Sequence, residues 1–257
     1  MIHPGAVVDP AADISSNAEI GPYSIIGPDV SIGDHTWIGP HVVINGPTTI
    51  GSNNRIYQFA SIGDAPQHVN YKNEPTRLVI GDRNTIREYV TINRGTVEGG
   101  EVTRIGNDNL LMAYSHIAHD CFVMNHTIFA NGASLAGHVD VGDYAILGGF
   151  TLVHQFCNIG AHSITAINTV VFKDIPPFIV ASGYGAEPHG INTTGLKRRE
   201  FPDDVINVLK DAYKIIFRSG VNAEEAIDNL GPLAEKYPEI AELIQFIRNS
   251  ERGIIRA

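Results

Sequence analysis

The run Ile105-Gly-Asn-Asp-Asn-Leu-Leu111-Met-Ala-Tyr-Ser-His-Ile117-Ala-His-Asp-Cys-Phe-Val123 carries the pattern on which the fold turns. Every sixth residue is large and apolar, and the series continues through Phe129, Leu135, Val141, Leu147 and Val153 to Ile159. Toward the N-terminus a second series keeps the same step, from Val8 through Ile14, Ile20, Ile26, Ile32, Ile38, Ile44, Ile50 and Ile56 to Ile62. Gly often follows the apolar residue, with Pro, Asp, Ser or Asn next, and these are turn formers. A period of six matches neither an amphipathic helix nor a two-residue strand alternation. It matches a short strand plus a corner, with one aliphatic side chain pointing inward per side of a prism. Three sides close a coil of about 18 residues, and stacked coils lie about 4.8 Å apart, the interstrand spacing. Each coil buries its core only against its neighbours. The expected fold is mainly β, a parallel β-helix.

Two breaks interrupt the rails. Near 63–79 the hexads stop, and the polar, Pro-bounded segment Ala65-Pro66-Gln67-His68-Val69-Asn70-Tyr71-Lys72-Asn73-Glu74-Pro75 is expected to loop out. The frame returns at Ile80, 18 residues after Ile62, as though one coil's length were diverted outward. Near 93–104, with Gly95, Gly99 and Gly100, the frame shifts by one residue before Ile105 restarts it. Loops excluded from a rigid solenoid are where binding groups are usually carried. Thr165 sits on the rail, Val171 resumes it, and Pro176-Pro177 ends the coils.

Residues 178–191 read as an extended exit segment, giving a β-helix over 1–191. Residues 192–257 read as a small helical domain. One helix is expected after Asp203 as cap, with Gly220 at its end. A second is expected from about Ala223 to Leu230 and a third from Pro238. A prism with flat aliphatic sides favours association about a three-fold axis along the stack, so a homotrimer is expected.

Lys and Arg total 18 against 28 Asp and Glu, a net charge of −10, which argues against nucleic acid as a partner. The cations are unevenly spread: 10 of the 18 fall after residue 191. Cys121 and Cys157 have no disulfide-framework or C-x-x-C spacing and read as buried small hydrophobes of a reducing compartment. No apolar run approaches the length of a membrane span, and the N-terminus lacks the basic and apolar regions of a secretion signal, so a cytoplasmic location is expected.

The polar chemistry concentrates between the rails, in His116-Ile117-Ala118-His119-Asp120-Cys121, Gly137-His138 and His154-Gln155-Phe156. His116 and His119 flank rail residue Ile117, so both rings are expected on the outer surface. Asp120 is placed to hold the His119 ring in the tautomer that leaves its other nitrogen free as a base. His138 and His154 follow on successive coils, which predicts a vertical column of His119, His138 and His154. Such a column is also a ligand set for zinc. Asp120 beside His119 suits a base better than a ligand, and neither metal nor cofactor is expected.

These motifs, with Leu135-Ala136-Gly137-His138, Glu74-Pro75-Thr76, Arg94-Gly95-Thr96, Gly195-Leu196-Lys197-Arg198-Arg199 and the terminal Ser250 to Arg256, closely resemble the UDP-N-acetylglucosamine acyltransferases that begin lipid A synthesis. The likeness covers essentially the whole chain. It implies a left-handed winding of the coil, although the general crossover rule would favour a right-handed one. It also implies transfer of an (R)-3-hydroxyacyl chain from acyl carrier protein to the 3-hydroxyl of UDP-N-acetylglucosamine. By the family pattern His119 is the general base, Asp120 orients it, and the Gly137 N–H is the oxyanion donor. His68, Asn70, His116, His138, His154 and Gln155 would contact the sugar nucleotide, with Asn192 and Arg198 toward the nucleotide end. A guanidinium suits a diphosphate. Active sites are expected between subunits of the trimer, and the cations of the tail offer an acidic carrier protein a docking surface.

Several positions depart from the family's commonest pattern: Asn70 in place of Lys, Asn93 of His, Thr194 of Glu and Tyr184 of Asn. They leave a 3-amino sugar nucleotide as an alternative acceptor. Ile167 stands where long-chain members have Gly. The added side chain is expected to act as an acyl-chain ruler favouring about ten carbons, because overpacking by a methylene or two is costly. Two other readings compete. Acetyl transfer from acetyl-CoA is common on hexapeptide folds, and a non-enzymatic scaffold would show regular Thr rows, which the sequence lacks.

Overall fold

The computed structural model describes residues 1–256. The six-residue rails become three sheets of nine, eight and ten strands, parallel except for the last strand of the third, and these are the faces of a triangular prism. Most strands are two residues long, one pointing out and one in. Rail residues pair with rail residues a coil away: Ile26 with Ile44 and Ile117 with Leu135 in the nine-stranded sheet, and Ile32 with Ile50 and Val123 with Val141 in the eight-stranded sheet. In the ten-stranded sheet Ile38 pairs with Ile56 and Phe129 with Leu147. From Ile20 to Ile159 these side chains are at most 3 % exposed, so the core is one continuous aliphatic column. Burying each is worth roughly 1.5–3 kcal/mol.

The corners supply what the sequence pattern left open. One residue per corner lies at positive φ, and most are not glycine: Tyr114, Asp120 and His126 turn one coil, and Gly132, His138 and Tyr144 turn the next. A side chain in this region costs about 1–2 kcal/mol. A hydrogen bond between coils opposes that cost at each: the His138 N–H donates to His119 O at 3.1 Å, and the Tyr144 N–H to Asn125 O at 2.9 Å. Repetition at one position also stacks the rings, as along Tyr23, His41, Phe59, Tyr89 and Tyr114, with centroids 4.9–5.4 Å apart. A second repeat stacks Asn54, Asn84 and Asn109, whose buried side-chain oxygens accept the backbone N–H one coil on.

Both loops leave the prism at the same corner, between the nine- and eight-stranded sheets. The first joins Ser61–Asp64 to Arg77–Ile80 and the second Thr91–Asn93 to Val102–Ile105. Because Ile50 pairs with Ile80, 30 residues on instead of 18, the first loop holds 12 extra residues, not the full coil expected. Arg94 of the second loop ties down the first, donating to Gly46 O and Gly63 O and to the Tyr71 hydroxyl.

After the coils, Ile179–Ser182 adds to the ten-stranded sheet and pairs antiparallel with Glu187–Ile191. Four helices follow: α1 (Thr193–Arg198), α2 (Asp203–Arg218), α3 (Ala223–Ala234) and α4 (Pro238–Asn249). Asp203 is the first helical residue of α2 and not its cap; Pro202 holds that place without a side-chain bond. α3 runs on through Gly231 and Pro232, four residues beyond the expected end, because its Leu230 side packs against the neighbouring helices. α1 was not anticipated. Asn192 caps it by accepting from the Gly195 N–H. The C-terminal segment returns to the coils, where fully buried Asp174 accepts from the Ser250 hydroxyl at 2.6 Å and pairs with Ile254. No helix among the described residues is long and apolar enough to cross a membrane.

Candidate functional site

The corner that receives both loops is the corner that holds Ala118-His119-Asp120-Cys121 in the following coil. Asp120 is the positive-φ residue there, which turns its side chain back toward the preceding imidazole. His119 Nδ1 and Asp120 Oδ2 are 2.7 Å apart. The expected outward orientation of His119 holds, but the ring is covered: the residue is 9 % exposed and Asp120 is 2 %. The cover is His68 of the first loop, edge-on with centroids 5.2 Å apart. The His68 Nδ1 is itself buried without a protein partner among the described residues.

The second loop reaches Asp120 from the other side. The Thr96 N–H donates to Oδ1 at 2.7 Å and the Thr96 hydroxyl to Oδ2 at 2.6 Å. Burial pushes the Asp120 carboxyl up, but hydrogen bonds from His119 and Thr96 outweigh it and hold the group below the ordinary range. Asp120 is therefore ionised at neutral pH. His138, one coil on, brings Nε2 to 3.6 Å from Asp120 Oδ2, with its ring nearly perpendicular to that of His119. Burial is the main force lowering the pKa of His138, as it is for His116, so both are neutral near pH 7. His116 Nδ1 lies 2.7 Å from the Thr91 hydroxyl.

Gly137 stacks directly on His119. A Cβ built there would fall 2.5 Å from Cε1 and 2.9 Å from Nε2 of the ring, so only glycine brings the backbone this close to the free nitrogen.

The expected column of three histidines is corrected in its last member. Phe156 stacks on His138 at 4.4 Å, while His154 leans on Phe172 at 6.0 Å. Corner residues recur every 18 positions, from Asp120 to His138 to Phe156, and His154 falls two residues short of that position. Gln155 and Asn70 are exposed, as is the neighbouring Val69 at the tip of the first loop. Asn93 is buried and donates to Ala65 O, so it joins the two loops. Thr194 and Tyr184 are exposed. Asn192 is committed to capping α1 and to His162 O. Arg199 stacks on Tyr144 and donates to Gly195 O, leaving exposed Arg198 as the guanidinium that faces solvent. Ile167 is 72 % exposed on a different corner, against the Gly149 position of the coil before. Cys121 is buried beside the dyad, and burial pushes its thiol up to about 12, which leaves it inert.

Two hollows adjoin these residues. A cleft of about 840 Å³ runs from His138 and Phe156 along the eight-stranded sheet to Phe246 of α4, and carries Asp140, Asp143 and Glu242. A second, of about 460 Å³, is lined by Tyr144, His162, Arg198 and Arg199. His119, Asp120 and His138 also bring one donor atom each within 4.8 Å of one another. Thr96 and His119 already take both lone pairs of Asp120 Oδ2, an arrangement that suits a base-orienting carboxylate better than a metal ligand.

Thr96 is the partner of Asp120 that sequence reasoning passed over. It stands in the Arg94-Gly95-Thr96 motif, but 24 residues separate it from Asp120, and no periodicity connects a loop residue to a corner.

Comparison with known proteins places the whole chain among relatives of one family. Residues 174–255 match the family described as UDP-N-acetylglucosamine O-acyltransferase, domain 2, and residues 29–64 match the bacterial transferase hexapeptide family. The chain is 58 % identical to an acyl-[acyl-carrier-protein]–UDP-N-acetylglucosamine O-acyltransferase of Thiobacillus denitrificans, covering 99 % of both chains. It is 52 % identical to that of Stutzerimonas stutzeri, covering 100 % of this chain and 99 % of the relative. Among solved structures, the UDP-N-acetylglucosamine acyltransferase of Francisella novicida superposes with a TM-score of 0.98 at 43 % identity, covering 100 % of this chain and 94 % of that one. The left-handed winding of the hexapeptide coil is common to this fold.

Proposed function

This chain belongs to the acyl-[acyl-carrier-protein]–UDP-N-acetylglucosamine O-acyltransferase family, and from that premise we propose that it moves an (R)-3-hydroxyacyl chain from acyl carrier protein to the 3-hydroxyl of UDP-N-acetylglucosamine, the first step of lipid A synthesis. The observation that carries the reading is the buried His119–Asp120 pair, 2.7 Å apart and roofed by His68. In this reading His119 donates its Nδ1–H to Asp120, which leaves the Nε2 lone pair as the base. Nε2 takes the proton of the sugar hydroxyl as that oxygen attacks the thioester carbonyl carbon. The resulting oxyanion is held by the Gly137 N–H, a kind of interaction typically worth about 3 kcal/mol of barrier. Collapse breaks the C–S bond, and the departing carrier-protein sulfur takes the proton back from His119. The Asp120 charge stabilises the imidazolium between these two transfers.

Substrate contacts are assigned to His68, Asn70, His116, His138, His154 and Gln155. Carboxylates in the larger cleft repel phosphate, so the diphosphate is assigned to the smaller hollow at Arg198, with Asn192 shaping it through α1. A homotrimer is the proposed assembly. The exposed Tyr23, Phe59, Tyr89 and Tyr114 and the exposed Ile25 and Leu152 give it an apolar face to bury. Ile167, open on the single chain, becomes the floor of an acyl groove when a neighbouring subunit covers it, with sites between subunits. A sugar-nucleotide substrate and two buried, unpaired cysteines go with a cytoplasmic location.

The test is single turnover with 3-hydroxyacyl carrier proteins of graded length and UDP-N-acetylglucosamine, wild type against His119→Ala. The wild type should peak near about ten carbons, and the variant should lose about 10³-fold in rate. A variant that keeps wild-type rate removes His119 as the base. Absence of wild-type transfer from every donor overturns the acyltransfer reading itself.

A further inference from the structure

Asp120 lies between two imidazoles, and the choice of partner decides which ring is made the base. His119 Nδ1 is 2.7 Å from Oδ2 and His138 Nε2 is 3.6 Å from the same atom. The Thr96 hydroxyl, 2.6 Å from Oδ2, fills the lone pair that would otherwise be open to His138, and the Thr96 N–H fixes Oδ1. The Thr96 hydroxyl is held in turn by the Gly99 N–H at 3.1 Å, and a Cβ at Gly99 would collide with the Asp120 carboxylate. The Thr103 hydroxyl accepts from the Asp120 N–H at 2.8 Å. Loop 93–104 is thus folded around a single carboxylate. The other titratable groups facing this cluster are His116 on the same coil, His68 of the first loop and Glu98 at the tip of the second.

We propose that Thr96 is a positioning residue of the acyl transfer: by occupying Oδ2 it commits Asp120 to His119 and denies it to His138. The proposal rests on His119 being the base. Thr96 has no hydrogen bond to His119, and its bonds to Asp120 are the route by which it acts. Its position in an inserted loop makes the loop a working part of the site and not only its roof.

Thr96→Val removes the hydroxyl, keeps the shape and leaves the N–H in place; Thr96→Ser keeps the hydroxyl. Steady-state kinetics of both, in wild-type and His138→Ala backgrounds, give the test, with thermal unfolding checked for each protein. Thr96→Val should lower kcat about tenfold or more with KM for both substrates within about twofold. Thr96→Ser should stay within about threefold of wild type, and the Val penalty should shrink when His138 is absent, because the rival N–H donor to Asp120 is gone. Unchanged kcat in Thr96→Val overturns the proposal, as does a Val penalty that His138→Ala leaves the same, or a Ser variant as impaired as the Val variant. If His119→Ala is inactive while Thr96→Val equals wild type, only this proposal fails. If His119→Ala is active, the base assignment fails and takes the proposal with it.

Discussion

The corner that holds His119 and His138 and the corner that holds His126 and His162 are made by the same six-residue turn with one residue at positive φ, but the first pair of rings meets edge to face and the rings of the second are stacked. In the second, Tyr144 lies flat between His126 and His162 at 4.6 and 4.9 Å, and the helical tail closes over His162 with Phe201 and Arg199. His162 has no carboxylate bonded to it. Burial first, and the Arg199 charge second, depress it to about 4. In the first corner a carboxylate occupies the turn, and two loops enter to bond it and cover it. A ring at the turn is thus a structural element of this coil, and we propose that it becomes a catalytic one only where an acid and an insertion reach it.

Gly137→Ala tests that contrast most sharply. The new Cβ would press on His119 Cε1 at 2.5 Å, and we expect single-turnover rate to fall about 10²-fold through displacement of the proposed base relative to the proposed oxyanion donor, whose N–H the variant keeps. A rate within twofold of wild type would mean that the first corner does not depend on this close approach. Next in size is Ile167→Gly, which asks whether the third corner serves the first. The ratio of kcat/KM for longer over shorter acyl donors should rise about tenfold, and an unchanged ratio would free Ile167 of any ruler role.

The smallest effect belongs to the second corner. His162 titrates near 6.5 when unfolded and near 4 when folded, so as pH falls the unfolded chain takes up the proton first and stability drops. Its contribution is whole above about pH 6.5 and is lost progressively toward about pH 4. His162→Phe keeps the stacking and removes the titration, and should reduce the fall in Tm between those pH values by about 2 °C. An identical Tm profile would show that His162 is not the titrating group.

The rails were readable because burial is periodic: an aliphatic side chain every six residues has only one way to be covered when coils stack 18 residues apart. The loops were readable as gaps in the same period, although Ile50 pairing with Ile80 was needed to measure the first. Local chemistry misled at helix ends. Asp203 looks like a cap, but it is already the first residue of α2, with Pro202 in the cap position, and packing carries α3 past Gly231 and Pro232. At the site, His119, Asp120 and Gly137 were legible as neighbours in sequence or on adjacent coils, whereas the column ending in Phe156 and not His154 required the corner register.

By itself the sequence determined the coil, its sheets, the points where loops leave it and the residues able to act as acid, base and oxyanion donor, because each follows from a short-range repeat or a motif. The sequence also paired Asp120 with His119; only the tertiary structure brought the Thr96 hydroxyl, from a loop 24 residues away, to the same carboxylate oxygen. Hydrogen bonds are short and directional, and no one-dimensional pattern fixes where an inserted loop will place its donors.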